Sequence, residues 1–188
     1  FIREKVPMTK EEIRHVSICK LHLKSDSVLY DVGSGTGSIA VEAASLSDDM
    51  EVYAIEQKEN AVQLITQNKE KHGLENIHVI KAKAPDGMDT LPVPTHAFIG
   101  GSGGNLKEII EALKAKNPHI RIVINAISME TICEIKEILS AYDVKNEDIV
   151  QLQVSRSKQI GHYHLMQAEN PVWICSFRFW KEGEVYEA

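Results

Sequence analysis

The residues of this chain best suited to hold a ligand are Asp31-Val-Gly-Ser-Gly-Thr-Gly37. They follow the apolar run Ser27-Val-Leu-Tyr30 and precede a small-residue segment that begins near Ser38. Gly33, Gly35 and Gly37 alternate, so no Cβ stands between the backbone and a molecule lying on it. The N–H groups of Gly33, Ser34, Gly35, Thr36 and Gly37 are expected to face a carboxylate, aided by the positive end of the following helix. A second acid, Glu56, closes the run Glu51-Val-Tyr-Ala-Ile-Glu56. One carboxylate can accept from both hydroxyls of a ribose. Asp31 is expected to reach an amino group of the same ligand, directly or through the loop amides.

An acid at a strand end two residues before alternating glycines resembles the glycine loop of S-adenosylmethionine (SAM)-dependent methyltransferases, which implies SAM as the ligand of these residues. The dinucleotide fingerprint requires its third glycine three residues after the second, and Ser38 stands there. A nicotinamide cofactor therefore fails at Ser38, although Glu56 alone would suit it. Taken singly, such glycines serve tight turns and such an acid is a solvated charge; the pairing gives them meaning. No His, Asp and Glu set has metal-ligand spacing on one element, so no metal is expected.

With 188 residues, 43% of them hydrophobic, the chain can bury one continuous core, and a single domain over 1–188 is expected. A formal charge of -6 argues against a nucleic-acid surface, which needs a basic face. Apolar runs are strand-length, so no membrane span is expected, and no signal peptide is evident. Cys19, Cys133 and Cys175 lack C-x-x-C spacing and read as small buried hydrophobes in a reducing, cytoplasmic setting.

The elements that must position the loop alternate. Thr9-Lys-Glu-Glu12 reads as a capping box opening a helix with Ile13, Val16 and Cys19 on its inner face. Strands are expected at Ser27–Asp31, Glu51–Glu56, His78–Ala82, Ala97–Ile99 and Ile120–Ala126. Helices between and after them carry Ile39 to Ala44, then Ala61, Leu64, Ile65 and Asn68. Two more carry Leu106, Ile109, Ile110 and Leu113, and Ile132, Ile135, Leu139 and Tyr142. Ile149–Val154 and Val172–Phe179 complete a mostly parallel, seven-stranded, doubly wound α/β sheet with Val172–Phe179 antiparallel at the far edge. That is the Rossmann-like class I methyltransferase architecture, and its ligand lies outside the carboxyl ends of the strands.

Two further constellations read less sharply. Asn170-Pro-Val-Trp173 resembles the Asn-Pro-Pro-aromatic step of amino-directed nucleic-acid methyltransferases. That step belongs after the fourth strand, where this chain has Gly100-Gly-Ser-Gly-Gly104, so the likeness reads as accidental. His162 and His164, with Arg156 and Lys158, read as a polar loop or as a patch meeting an acidic substrate.

Phe1-Ile-Arg, Pro7-Met-Thr-Lys-Glu-Glu-Ile-Arg14, the Asp31–Gly37 loop, Val41-Glu42-Ala43, Tyr53-Ala-Ile-Glu56, Ala84-Pro85, Gly100-Gly-Ser-Gly-Gly104 and Asn170-Pro171 occur in that order. Together they resemble the decarboxylating (cobalt-)precorrin-6B C15-methyltransferases of cobalamin (vitamin B12) biosynthesis over nearly the whole chain. The resemblance implies methylation of carbon 15 of a cobalt-precorrin tetrapyrrole with loss of carbon dioxide from the ring C acetate. It carries SAM contacts to Thr9, to Gly33 through Gly37, to Glu56 and to the backbone of Ala84. The family's acid before Ala-Pro is Lys83 here, so no carboxylate accepts from the adenine amino group at that point. It also implies a homo-oligomer, a tetramer, and cooperation with a separate carbon-5 methyltransferase subunit, because no second N-terminal module is seen.

Methyl transfer from a sulfonium can rest on positioning, and the conjugated macrocycle can accept the electrons of decarboxylation. No catalytic base is therefore named. The backbone at Gly101, Ser102 and Gly103 is expected to lie against the macrocycle, with Lys107, Arg156 and Lys158 meeting its carboxylates. A SAM-dependent methyltransferase for RNA or protein, and a non-catalytic SAM-binding subunit, remain as alternatives.

Overall fold

The structure, a computed structural model, describes residues 1–180. Its first half alternates: α1 (Glu11–Leu21), β1 (Val28–Val32), α2 (Ser38–Ala44), β2 (Glu51–Glu56), α3 (Glu59–Lys71) and β3 (Ile77–Lys81). After β4 (His96–Ile99), α4 (Leu106–Lys116), β5 (Arg121–Ala126) and α5 (Met129–Ala141), the chain turns to strands. These are β6 (Val144–Leu152), β7 (Ser155–Ile160), β8 (Tyr163–Ala168) and β9 (Val172–Phe179).

Seven strands form one sheet in the order β3-β2-β1-β4-β5-β9-β6. The first five are mutually parallel, and β9 runs antiparallel to both of its neighbours. The chain winds outward from β1 through β2 to β3 and then returns to place β4 on the other side of β1. This reversal opens a crevice at the carboxyl ends of β1 and β4. The expected class is thus present, with one correction of placement: β9 lies one strand in from the edge, and β6 is the edge. Burial explains the order. Ile174 to Phe177 of β9 are all buried, so that strand needs neighbours on each side, whereas β6 exposes much of its length.

Side chains alternate across the sheet into two cores. Tyr30, Val32, Ile122 and Ile124 pack with α4 and α5, while Leu29, Val52, Ala54 and Val123 pack with α1 and α2. Ala40, Ala43 and Ala44 let α2 lie close to the strands.

Three local expectations are corrected. The first helix is capped at Lys10 with no side-chain cap, so Thr9 and Glu12 form no capping box. Arg14 accounts for this: its Nη1 donates to the Thr9 carbonyl at 2.7 Å and holds Thr9 in the preceding segment. The helix's inner face is Ile13, Arg14, Ser17 and Leu21, and both Cys19 and Cys133 are exposed; Cys175 alone is buried. The supposed loop around His162 is a hairpin, β7 paired with β8, which stands outside the main sheet. No helix among the described residues is long and apolar enough to cross a membrane.

Candidate functional site

A cavity of about 530 Å³ opens at the reversal point of the sheet. The loop after β1 and the acid ending β2 form its inner wall, and the loops after β3 and β4 form two sides. Val6 to Lys10 line it from the amino terminus, and Asn125, Ile127 and Asn170 line it as well. The amino-terminal segment is pinned there from both ends. Asn68 of α3, fully buried, accepts from the Ile2 amide at 2.7 Å and donates to the Ile2 carbonyl at 2.8 Å. Arg14 binds Glu42 at 2.5 Å and lies 4.8 Å from the Phe1 ring.

Each glycine of the first loop has its own reason. Gly33 has φ +69°, and a Cβ there would stand 2.3 Å from the Gly101 carbonyl oxygen. The loops after β1 and β4 can meet only because that atom is missing. A Cβ on Gly35 would crowd the Pro7 carbonyl at 3.2 Å, under the amino-terminal segment. At Gly37 the neighbour is Ile65 of α3, so this glycine serves helix packing rather than the cavity.

The expectation that the loop amides face a ligand carboxylate is corrected by their partners. Gly33 and Ser34 amides both donate to the Ile55 carbonyl, at 3.0 and 3.2 Å, and Gly37 donates to the Ser34 carbonyl at 2.9 Å. The Gly35 amide donates to Glu56 Oε2 at 3.0 Å. The loop therefore offers a close, bare surface at Gly33, Ser34 and Gly35, with those donors already engaged.

Asp31 is likewise reassigned. It has no exposed surface; its Oδ2 accepts from Ser34 Oγ at 2.6 Å and from the Ala40 amide at 3.1 Å. Those bonds brace the loop against the start of α2, and Asp31 does not line the cavity. Burial, reinforced by the Glu56 charge and opposed by the two hydrogen bonds, pushes its pKa up to about 7. Thr36 and Gly37 also lie behind the wall, and the Thr36 carbonyl accepts from Asn68 Nδ2 at 2.9 Å.

Glu56 remains at the wall, 8% exposed. Its Oε1 accepts from the Lys58 amide at 2.9 Å, and its Oε2 from Gly35. Each carboxylate oxygen has two lone pairs, so both keep acceptor capacity toward the cavity. Thr9, Ala84, Gly101, Ser102 and Gly103 line the cavity. The Ala84 carbonyl is tied to Asn105 Nδ2 at 3.1 Å, which fixes the loop after β3 against the start of α4.

The expected substrate cations do not gather there. Lys107 is exposed in the first turn of α4, outside the wall, and Lys158 is exposed on β7. Arg156 is engaged internally, to Glu12 at 2.6 Å and to Glu169 at 3.4 Å. Glu169 also holds Lys10 at 2.5 Å. Asn170, read from sequence as an accident, lines the cavity. Its position before β9 hid this, because a strand entering beside β5 from the far end of the chain is invisible to local spacing.

A doubly wound sheet with an open crevice, a glycine wall and a strand-end acid defines the class of Rossmann-like methyltransferases. The precorrin methyltransferase domain model matches residues 1–178. The chain belongs to that family. It is 38% identical over 175 residues to a probable cobalt-precorrin-6B C(15)-methyltransferase (decarboxylating) of Pyrobaculum calidifontis, covering 92% of this chain and 89% of that relative. Among solved structures it resembles a precorrin-6y C5,15-methyltransferase of Geobacter metallireducens, with TM-score 0.87 and 34% identity over 95% of this chain and 93% of that one. It also resembles a precorrin 8W decarboxylase of Methanobacterium thermoautotrophicum, with TM-score 0.84 and 33% identity over 94% and 95% of the two chains.

Proposed function

We propose that this protein is the SAM-dependent enzyme that methylates carbon 15 of a (cobalt-)precorrin and removes the ring C acetate carboxyl as carbon dioxide. The observation that carries the reading is the crevice itself: Glu56 with spare acceptors beside a wall in which a Gly33 Cβ would collide with the neighbouring loop. Its volume, about 530 Å³, suits a nucleoside-sized ligand and falls within the range of small-molecule sites. Glu56 would take the ribose hydroxyls, Gly33 to Gly35 would lie under the amino-acid tail, and Thr9 and the Ala84 backbone would close over the remainder.

SAM supplies, when bound, a sulfonium methyl that transfers by in-line displacement. The protein's share is positioning and exclusion of water. Val6 to Lys10 cover the cavity, and the exposed backbone at Gly101 and Gly103 gives a flat rim for the macrocycle. Electrons released by decarboxylation pass into the conjugated macrocycle, so no side chain is assigned as base. We further propose that the protein works as a homo-oligomer, a tetramer, beside a separate carbon-5 methyltransferase. Sizing by light scattering tests that assembly, and a monomer at working concentration refutes it.

The test of function is incubation with methyl-labelled SAM and a cobalt-precorrin-6B. The reading predicts one label transferred and one carbon dioxide lost per macrocycle. SAM binding without transfer would favour a non-catalytic subunit, and label in RNA or protein would favour the other alternative.

A further inference from the structure

The cavity is too small for a nucleoside donor and a tetrapyrrole together, so the macrocycle must lie across its rim. That rim needs cations for the macrocycle's peripheral carboxylates, and the three expected from sequence lie outside the cavity wall, Arg156 held in ion pairs besides. Lys10, Lys58 and Lys83 are the lysines that line the cavity among the described residues. Lys10 is paired with Glu169, and nearby Lys81 is paired with Glu59. Lys58 and Lys83 have no carboxylate within ion-pair distance among the described residues.

Position separates the two. Lys58 caps α3 next to Glu56, on the side assigned to the ribose. Lys83 follows β3 and reaches toward the glycine rim; its Cε would lie 3.8 Å from a Cβ built on Gly103. That spacing is ordinary van der Waals contact, so the lysine stem runs alongside the rim backbone at Gly103. Lys83 is itself exposed, so its side chain is accessible to an acidic partner. Ile127, 70% exposed, also lines the cavity, an apolar counterpart suited to a flat conjugated ring.

We propose that Lys83 is a specificity residue that pairs with a peripheral carboxylate of the macrocycle and sets its register over the methyl-donor cavity. This rests on the function proposed above. The wild-type enzyme and the variants Lys83→Gln, Lys83→Glu and Lys83→Arg are compared in the labelled-methyl assay, with calorimetry of S-adenosylhomocysteine on each. Lys83→Gln should raise KM for the cobalt-precorrin about 3- to 10-fold, as expected for one partly exposed ion pair, with kcat within about twofold. Lys83→Glu should raise it further, and Lys83→Arg should restore it. Rising salt should weaken the wild type more than Lys83→Gln. S-adenosylhomocysteine affinity should stay unchanged in all three, which also certifies the fold.

An unchanged KM in Lys83→Gln and Lys83→Glu overturns the proposal. So does a matching fall in S-adenosylhomocysteine affinity, which would place the ammonium on the adenine instead. Failure of the wild type to turn over the macrocycle at all would overturn both this inference and the function on which it rests; the Lys83 result alone leaves the function standing.

Discussion

Replacing Gly33 by alanine should damage the fold and the site together. A Cβ at that position would lie 2.3 Å from the Gly101 carbonyl oxygen, 2.8 Å from its nitrogen and 2.9 Å from its Cα. Non-bonded heavy atoms attract at about 3.5 Å, so the rim loop would have to retreat by about 1 Å. The obstacle is backbone, which cannot swing away like a side chain. Forced repacking of this kind costs about 1–3 kcal/mol. The left-handed φ of +69° adds about 1–2 kcal/mol for a residue with a Cβ. The expected destabilisation is therefore about 2–5 kcal/mol.

Gly73 supplies the control. It has φ +65° with nothing within 4 Å of where a Cβ would stand, so Gly73→Ala should cost only the strain, about 1–2 kcal/mol. Denaturant unfolding measures both costs, and calorimetry with S-adenosylhomocysteine measures the site. Gly33→Ala should lose stability well beyond Gly73→Ala and bind at least about tenfold more weakly, whereas Gly73→Ala should bind as the wild type does. If the two variants were equally stable and bound equally well, the close approach of the two loops would not be what the glycine serves.

Glu56→Ala should weaken S-adenosylhomocysteine by about 1–3 kcal/mol, through lost charged hydrogen bonds and loss of the acceptor for Gly35; unchanged affinity by calorimetry would put the ribose elsewhere. Two buried groups should tilt stability with pH in opposite senses. His96, 4% exposed, is held down to about 4 by burial and then by the charges of Arg178 and Arg121. Its folded pKa lies below the unfolded value, so stability is full above about pH 6.5 and falls as pH drops toward 4, by about 3 kcal/mol at most. Asp31 is pushed up to about 7, so its contribution is full below about pH 4 and is lost as pH rises through 7. Urea titrations at several pH values should show His96→Gln removing the acid-side decline and Asp31→Asn removing the alkaline-side one; slopes identical to the wild type would contradict both assignments.

Sequence was most legible where one residue type had one reason to be there. β2 ends at Glu56 and β9 spans Val172–Phe179 as read, because runs rich in apolar, β-branched and aromatic residues mark strands by type. Spacing of Leu106, Ile109, Ile110 and Leu113 marked the buried face of α4 equally well. Partnering was less visible. Gly33, Gly35 and Gly37 look alike in sequence, yet one meets the rim loop, one the amino-terminal segment and one α3. Asp31 and Glu56 are both strand-end acids, but only Glu56 lines the cavity, while Asp31 turns its Oδ2 to Ser34 and the Ala40 amide.

The hairpin escaped for a different reason. Ser155-Arg-Ser-Lys-Gln-Ile160 has no buried face to impose an alternating pattern, so nothing distinguishes it from a polar loop. Arg156 looked available to a substrate because its partners, Glu12 and Glu169, come from the first helix and from beyond the hairpin. The order of β9 and β6 was hidden likewise. Local sequence gives strand lengths, and only the burial of β9 on both faces fixes which of the two lies inside.

A crystal grown with S-adenosylhomocysteine interrogates the account at its root. The sugar hydroxyls should sit on the Glu56 carboxylate, with the homocysteine tail over Gly33 to Gly35 and the adenine beside Ala84. A ligand bound elsewhere, or one in this crevice with its sugar turned away from Glu56, would contradict the assignment of the site.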